Sequence, residues 1–152
     1  MWTTIFGAVN LLALLCWAGL ILAPRSRLLE TAILYVGVGL LCLVYTVLLA
    51  LFLTGAVDAG GRGGTSFTTI EGVRAIFAGD GGVTVGWTHY LALDLFAGLW
   101  IAKDADAKGF SRLVQAPVLL LTFVAGPAGV LVWLLVRERR ARAAARHPGK
   151  VR

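Results

Sequence analysis

Charged residues, cysteines and histidines are all scarce in this sequence. Only 14% of the 152 residues are charged, whereas 59% are hydrophobic and the mean hydropathy is +0.84. A soluble domain usually has about 25% charged residues, and a small chain cannot bury that much apolar surface inside itself. The two cysteines lie within apolar runs, which argues against a disulfide framework or a Cys/His zinc site. The composition therefore excludes an ordinary soluble domain and predicts a membrane protein without a metal or other cofactor.

Four long apolar segments divide the sequence. They cover residues 5–23, 31–53, 83–102 and 116–136. Each has about 20 residues, or about 30 Å of helix, which matches the hydrocarbon thickness of a bilayer. Helices are expected because backbone polar groups in lipid must be satisfied within the protein. The sequence thus predicts an all-α fold, a four-helix transmembrane bundle over residues 1–136, followed by a basic juxtamembrane tail at 137–152.

The connection between the second and third segments has two parts. Residues 58–65 are rich in glycine and should be flexible. After them, apolar residues recur at helical spacing, and this predicts a short amphipathic helix over residues 67–78 at the membrane surface, with Ser66 as its N-cap. The helix either packs at the interface or forms a lid over a cavity. Glu71 and Arg74 could reach in from this helix toward a carboxylate of the third segment, Asp94.

Positive charge is concentrated at the C-terminus. The formal net charge is +6, and seven basic residues follow Leu135 against one acid, Glu138. Such a run beside an apolar helix fixes topology and contacts anionic lipid head groups. No nucleic-acid partner is expected, because no aromatic residues interleave the arginines. With four spans both termini lie on one side of the membrane, and the tail, with Arg62 and Arg74, favours the cytoplasm for that side. Without the tail, the short loops favour the reverse orientation, because the other side holds Arg25, Arg27, Lys103, Lys108 and Arg112.

The third segment contains a carboxylate near its middle. A charge at that depth is costly, so Asp94 should face the interior of the bundle and have a partner. At ~100° per residue, Tyr90 lies one turn away on the same face with Trp87 nearby, whereas His89 is ~140° away. Asn10 is the most suggestive partner, because an amide inside a membrane helix also needs a hydrogen bond. The other candidates are Tyr35, Tyr45, Thr46, Gln115 and Thr122.

Each polar residue of the third segment has a functional and a structural interpretation. Asp94 is either a protonatable or ligand-binding carboxylate, or a hydrogen-bonded clamp between helices. His89 is either an acid–base residue or an ordinary interfacial histidine, and its spacing from Asp94 is not that of paired metal ligands on a helix. Trp87, Tyr90 and Trp100 either line a slot for a polyene or form the aromatic belt of a span.

The fourth segment contains the run Gly126-Pro127-Ala128-Gly129. Proline has no backbone N–H, so Pro127 is expected to kink the helix and free the carbonyl of Phe123. The glycines permit a close approach of helices. The run therefore serves helix packing, or it bends the helix and opens a cavity beside Asp94.

The motif around Asp94 resembles the signature of a known membrane family. The residues that carry the resemblance are Trp87-x-His89-Tyr90-Leu91-Ala92-x-Asp94-Leu95-Phe96, Trp100-Ile101, Asp104, Gly126-Pro127-x-Gly129 and the opening at 2–10. They are similar to the abscisic-acid-deficient-4-like family of small integral membrane proteins, which includes a plant protein required for neoxanthin formation. The similarity extends from Trp2 to about Val136. Many members carry arginine immediately before the Trp-Ile pair, where this chain has Leu99, so Asp94 needs another cation or is neutral here.

The resemblance implies a carotenoid or other isoprenoid ligand. The associated plant conversion opens an epoxide to an allene without net redox change, so an acid protonates the epoxide oxygen and a base removes a proton from the polyene. Asp94 and His89 would be the catalytic residues. The residues that would bind the substrate are Trp87, Tyr90, Trp100, Asn10, Glu71 and Arg74. The composition, rich in alanine, glycine and arginine, is typical of a bacterium, and a bacterial member need not act on the plant substrate.

Two functions from different classes stay open. The first is a membrane isomerase, or an accessory of one, acting on a carotenoid-type lipid in an intramembrane cavity around Asp94. The second is a non-catalytic membrane component that binds a pigment, lipid or protein partner, with Asp94 as a structural clamp. A proton-coupled transporter is less favoured. Four spans with one buried carboxylate and no internal repeat provide little machinery unless the chain forms a homo-oligomer.

Overall fold

The computed structural model describes residues 1–57 and 65–146, with side chains described as far as Glu138. Within these residues the chain is entirely helical. The six helices are α1 (Trp2–Leu22), α2 (Arg27–Leu53), α3 (Ile70–Ile76), α4 (Asp80–Ala107), α5 (Arg112–Val124) and α6 (Gly126–Arg146). Part of α2, Ile33–Gly39, is π-helical. Most of the predicted glycine-rich linker, together with Arg62 and the side chains of the basic tail beyond Glu138, lies outside the described residues.

Helix α4 is the centre of the fold and packs against α1, α2, α5 and α6. Its small residues allow close approach. A Cβ atom on Gly98 would lie 2.3 Å from the Trp17 ring of α1, so only glycine lets this indole pack directly on the α4 backbone. On α2, Gly37 faces Cys16 and Leu95 in the same way. The hydrophobic core therefore forms where α1, α2, α5 and α6 pack around α4.

Helices α1 and α2 are long and apolar enough to cross a membrane, and they match the first two predicted spans. In each, only 22% of the most apolar stretch is buried inside the protein. Large side chains such as Leu11, Leu15 and Val36 stay exposed on the outer faces. A soluble protein rarely exposes apolar surface of this extent, so these helices are consistent with a membrane protein.

The fourth apolar segment differs from its prediction, because it is not one continuous span. Helix α5 ends at Val124, Ala125 has non-helical backbone angles (φ −148°, ψ 74°), and α6 begins at Gly126. The chain then runs back beside α5, since a Cβ on Gly129 would lie 2.5 Å from the backbone of Thr122. We call α5 and α6 together the C-terminal hairpin. Among the described residues only α1 and α2 are long and apolar enough to cross a membrane, so the four-helix transmembrane bundle expected from the sequence is not confirmed.

The sequence of the turn explains the reversal. The Ala125 carbonyl accepts hydrogen bonds from the N–H groups of Ala128 (2.9 Å) and Gly129 (3.1 Å). Pro127 has no N–H, so it adds no unpaired donor at the start of α6. In an apolar setting this matters, because each unpaired backbone group is costly. At the predicted kink near Pro127 the chain thus reverses its direction completely, and the turn pairs backbone groups of Ala125, Ala128 and Gly129.

The C-terminal hairpin reaches only halfway along α4. Its tip, Gly126, touches Asp94 near the middle of that helix. Both ends of the hairpin lie at the C-terminal end of α4, where Arg137 pairs with Asp104 and Gln115 bonds to Asp106. We call this the basic end of the bundle. The opposite end holds the first residues of α1 and α4.

Because of the hairpin, the first residues of α1 and the residues that follow the last apolar segment lie at opposite ends of the bundle. Trp2 lies beside Asp80 and Val83 at the start of α4, whereas Arg137 lies beside Asp104 near its end. The expectation that both termini share one side of the membrane rested on a fourth complete span. That fourth span is not confirmed, because the last apolar segment turns back to the end of the bundle where it began.

The predicted surface helix is present but shorter. It covers Ile70–Ile76 rather than residues 67–78, and Thr69, not Ser66, is its N-cap. The Thr69 hydroxyl accepts a hydrogen bond from the N–H of Gly72 at 3.1 Å. Ser66 instead accepts one from the N–H of Thr68. Helix α3 lies across the start of α4, at the end of the bundle opposite the basic end.

Candidate functional site

An apolar cavity of about 300 Å³ lies between the end of α2, helix α3 and the start of α4. We call it the aromatic cavity, and the end of the bundle that contains it the cavity end. Its lining is mostly aromatic and aliphatic. The lining residues are Tyr45, Leu49, Phe52, Phe67, Val73, Ile76, Phe77, Gly82, Val85, Gly86, His89 and Tyr90. The size is at the lower end of the range of about 300–1,000 Å³ usual for small-molecule sites.

Two glycines of α4 bring the surface helix close enough to form this cavity. A Cβ on Gly82 would lie 1.7 Å from the carbonyl oxygen of Ile76, so any side chain there would push the end of α3 away. A Cβ on Gly86 would lie 2.3 Å from the Phe77 ring. Helix α3 thus lies directly against the α4 backbone at the edge of the cavity.

His89 provides an imidazole at this cavity. Its ring centre lies 5.1 Å from that of Tyr45 and 6.1 Å from that of Tyr90, in tilted and edge-on arrangements. These are favourable geometries for aromatic pairs. Flat aromatic walls suit a flat apolar ligand, while the imidazole and two phenols can donate or accept protons.

Asp94 lies outside the aromatic cavity, on another face of α4. Its half-buried carboxylate packs against Gly126 at the tip of the C-terminal hairpin. It makes no hydrogen bond or ion pair with any described residue. Leu99, at the position where the resemblance implies an arginine, is only 3% exposed and supplies no cation. The separation of Asp94 and His89 around the helix agrees with the angle of ~140° expected from helical geometry.

The partners expected for Asp94 are engaged elsewhere. The Asn10 side chain accepts a hydrogen bond from the Trp87 indole N–H at 3.0 Å and donates to the carbonyl of Phe6. Tyr45 lies against His89, and Gln115 donates to Asp106 at 2.6 Å. The remaining candidates have local bonds or are exposed: Thr46, Thr122 and Tyr35.

The predicted substrate-binding residues are therefore dispersed. Only Tyr90 joins His89 at the aromatic cavity. Trp87 pairs with Asn10, and its ring stacks on Phe6 at 6.1 Å. Trp100 lies under the Arg137 guanidinium at 5.6 Å, near the basic end. The remaining two, Glu71 and Arg74, lie on the exposed face of α3 and do not line the cavity.

The basic end contains a dense polar network. Asp104 accepts hydrogen bonds from the Trp133 indole N–H at 3.0 Å and from Lys108, and its carboxylate pairs with Arg137 at 3.0 Å. Burial acts to raise the pKa of Asp104, but the hydrogen bond from Lys108 and the positive charges of Arg137 and Lys108 hold that pKa below its ordinary value.

A second carboxylate, Asp106, completes this network. It pairs with Arg25 at 3.2 Å and accepts from the fully buried Gln115. Burial lowers the pKa of the Arg25 guanidinium, and the negative charge of Asp106 opposes that effect. Arg112 donates to the carbonyl of Ile21 at 2.8 Å. The network ties α1, α4 and the C-terminal hairpin together, which is a structural role.

Sequence reasoning missed most of the cavity wall. Tyr45, Leu49 and Phe52 lie at the end of an apolar span, where such residues are ordinary. Phe67 and Phe77 belong to the predicted amphipathic pattern, which gave a usable signal for a covered site. The sequence does not identify Asp104 and Arg137 as an ion pair. It predicts one continuous span where the structure has the C-terminal hairpin, and only the hairpin brings these two residues together.

Comparison with known proteins identifies the family. The model of the ABA DEFICIENT 4-like family matches residues 4–133, most of the chain. The chain matches no curated protein and no solved structure. The matched region contains the aromatic cavity, Asp94 and the hairpin tip. On the extent of this match, the chain belongs to the ABA DEFICIENT 4-like family.

Proposed function

We propose that this protein is an integral membrane protein that binds a carotenoid-type isoprenoid lipid in the aromatic cavity. The membrane assignment is supported by the outer faces of α1 and α2, where Leu15 is 62% and Leu43 is 59% exposed. Helix α4 has 28 residues, or ~42 Å, which is long enough to cross the hydrocarbon layer. Lipid covers these apolar faces.

The observation that carries the binding proposal is the cavity wall. Aromatic rings from two helices and from the segment after α3 surround about 300 Å³ of apolar space: Tyr45 on α2, His89 on α4 and Phe77 after α3. Conjugated polyenes and isoprenoid rings are flat and apolar, so they gain dispersion and stacking contacts on such walls. The volume suits one end group, and the remaining chain lies along the bilayer.

The binding test is a titration of the purified protein with an apolar polyene in detergent. Leu49→Trp fills the cavity, because Leu49 lines it. Leu11→Trp adds the same side chain on the outer face of α1, where Leu11 is 58% exposed. Binding is expected in the native chain and in Leu11→Trp, with a loss in Leu49→Trp. Equal binding by both variants contradicts the proposed site.

Isomerisation is a second candidate, favoured by the grouping of His89 with two phenols. In epoxide-to-allene chemistry, the C–O bond breaks as the oxygen gains a proton, and a base takes a proton from the polyene. His89 and a neighbouring tyrosine could perform these transfers. Asp94 is outside the cavity, so in this proposal it is a packing clamp at the hairpin tip rather than a catalytic acid.

Pigment profiles of a carotenoid-producing host distinguish catalysis from binding. His89→Phe keeps an aromatic wall and removes the proton-exchanging group. If the protein is an isomerase, this variant still binds polyene but forms no product, whereas Asp94→Asn keeps both. If host profiles are identical with and without the native protein, the catalytic candidate fails and binding alone stands.

A further inference from the structure

The charges of the chain are distributed unevenly between the two ends of the bundle. Among the described side chains, the cavity end has one basic residue, Arg74, together with the acids Glu71 and Asp80. The basic end has six. They are Arg25, Arg27, Lys103, Lys108, Arg112 and Arg137. Helix α6 also carries the chain further in this direction, as far as Arg146.

The C-terminal hairpin creates this imbalance. If the fourth apolar segment crossed the bilayer, Arg137 and the chain beyond it would lie at the cavity end. Instead, the hairpin turns at Ala125 and Gly126 in the middle of the bundle, and Arg137 pairs with Asp104 at the end where α5 began. The buried Trp133, bonded to the same carboxylate, fixes α6 in this position.

The number of complete crossings follows from this arrangement. Helices α1, α2 and α4 extend from one end of the bundle to the other, whereas the hairpin enters from the basic end and returns to it. A non-helical turn at membrane depth must satisfy its backbone polar groups within the protein. Ala125 is exposed, but its N–H donates to the Leu121 carbonyl and its carbonyl accepts from Ala128 and Gly129, while Gly126 is buried against Asp94. Three crossings place the start of α1 and the end of α6 on opposite sides.

We infer that the basic end is cytoplasmic, and that the aromatic cavity takes its lipid ligand from the non-cytoplasmic leaflet. Short loops rich in lysine and arginine stay in the cytoplasm, so the orientation follows from the described side chains, six basic residues at the basic end against Arg74 at the cavity end. The cavity and α3 then lie in the opposite leaflet. The ligand assignment rests on the proposed binding function, but the orientation does not.

Labelling of single cysteines in intact cells tests the orientation. In a chain carrying Cys16→Ala and Cys42→Ala, three exposed positions receive one cysteine each: Thr68→Cys beside the cavity, Ser111→Cys before α5 and Glu138→Cys on α6. With a membrane-impermeant thiol reagent, labelling is expected at 68 and lost at 111 and 138. All three become labelled once the cells are permeabilised.

Three results overturn the inference. Labelling of 68 and 138 from outside with 111 protected, or of 111 with 68 and 138 protected, means that the last segment spans the membrane. Labelling of 111 and 138 with 68 protected means that the orientation is inverted.

A second arm separates the orientation from the ligand. Addition of an apolar polyene to intact cells is expected to slow labelling at 68, which is next to the cavity residue Phe67, and to leave labelling of 138 in permeabilised cells unchanged. If the orientation is as inferred but the polyene protects nothing, binding from the non-cytoplasmic leaflet fails. The detergent titration then decides whether the cavity binds at all.

Discussion

The contact between Gly126 and Asp94 offers the sharpest test of the hairpin. A Cβ atom on Gly126 would lie 1.8 Å from the Asp94 Oδ1 atom and 2.4 Å from its Cγ atom. No real contact is that short, so Gly126→Ala must displace either the hairpin tip or the carboxyl. Overpacking of this kind costs about 1–3 kcal/mol. We therefore expect Gly126→Ala to destabilise the protein.

Removal of the carboxyl should relieve this clash. The double variant Gly126→Ala with Asp94→Ala is expected to be more stable than the sum of the single effects, by a coupling of about 0.5–3 kcal/mol. Gly7→Ala is the matched control, because a Cβ there meets nothing within 4 Å. In the middle of a helix that change should be neutral or stabilising by up to about 1 kcal/mol.

Thermal unfolding in detergent, followed by circular dichroism, measures all four variants. For a chain of this length, 1 kcal/mol corresponds to about 2–4 °C in melting temperature. Strictly additive effects of Gly126→Ala and Asp94→Ala would refute the reasoning, because the effects of residues that are not in contact usually add within about 0.5 kcal/mol.

Three further predictions concern the core and the basic end. Gly98→Ala brings a Cβ to 2.3 Å from the Trp17 ring, so it should lower stability by about 1–3 kcal/mol in the same unfolding assay. Trp133→Phe removes the N–H that bonds Asp104 and should cost about 1 kcal/mol, whereas an unchanged melting temperature would exclude a role for this bond. Because the pKa of Asp104 is lowered in the folded protein, its stabilising pairing with Arg137 is complete above the ordinary aspartate pKa of about 3.9 and is lost as the pH falls below it. The stability difference between the native chain and Asp104→Asn should therefore be constant near neutral pH and shrink in acid; a difference that grows in acid would contradict the pairing.

Much of the fold follows from the sequence because hydropathy and helical length act locally. The apolar runs correctly predict α1, α2 and the core of α4, and the spacing of Phe67 to Phe77 predicts the surface helix near its observed place. The fourth segment was predicted wrongly, since an apolar run of span length does not reveal whether the chain reverses within it. Gly126 and Pro127 indicated a bend, but the reversal depends on tertiary contacts with Asp94 and Asp104.

The candidate site was predictable only in part, for a similar reason. Rotation along one helix correctly separates His89 from Asp94, because it needs only the angle per residue. The contacts of these two residues depend on how the helices pack. In the fold, Tyr45 lies against His89, and the hairpin tip lies against Asp94. Asn10 accepts its hydrogen bond from Trp87 and not from Asp94. That a buried amide needs a hydrogen bond therefore does not tell which residue provides it.

The central claim is that an isoprenoid ligand occupies the aromatic cavity beside His89. Nuclear magnetic resonance of histidine-labelled protein tests it directly, because the chain has only two histidines, His89 and His147, and His89→Phe assigns their signals. On addition of an apolar polyene, the account predicts a shift of the His89 ring signals and none for His147. Unchanged His89 signals, or equal shifts at both histidines, would contradict it.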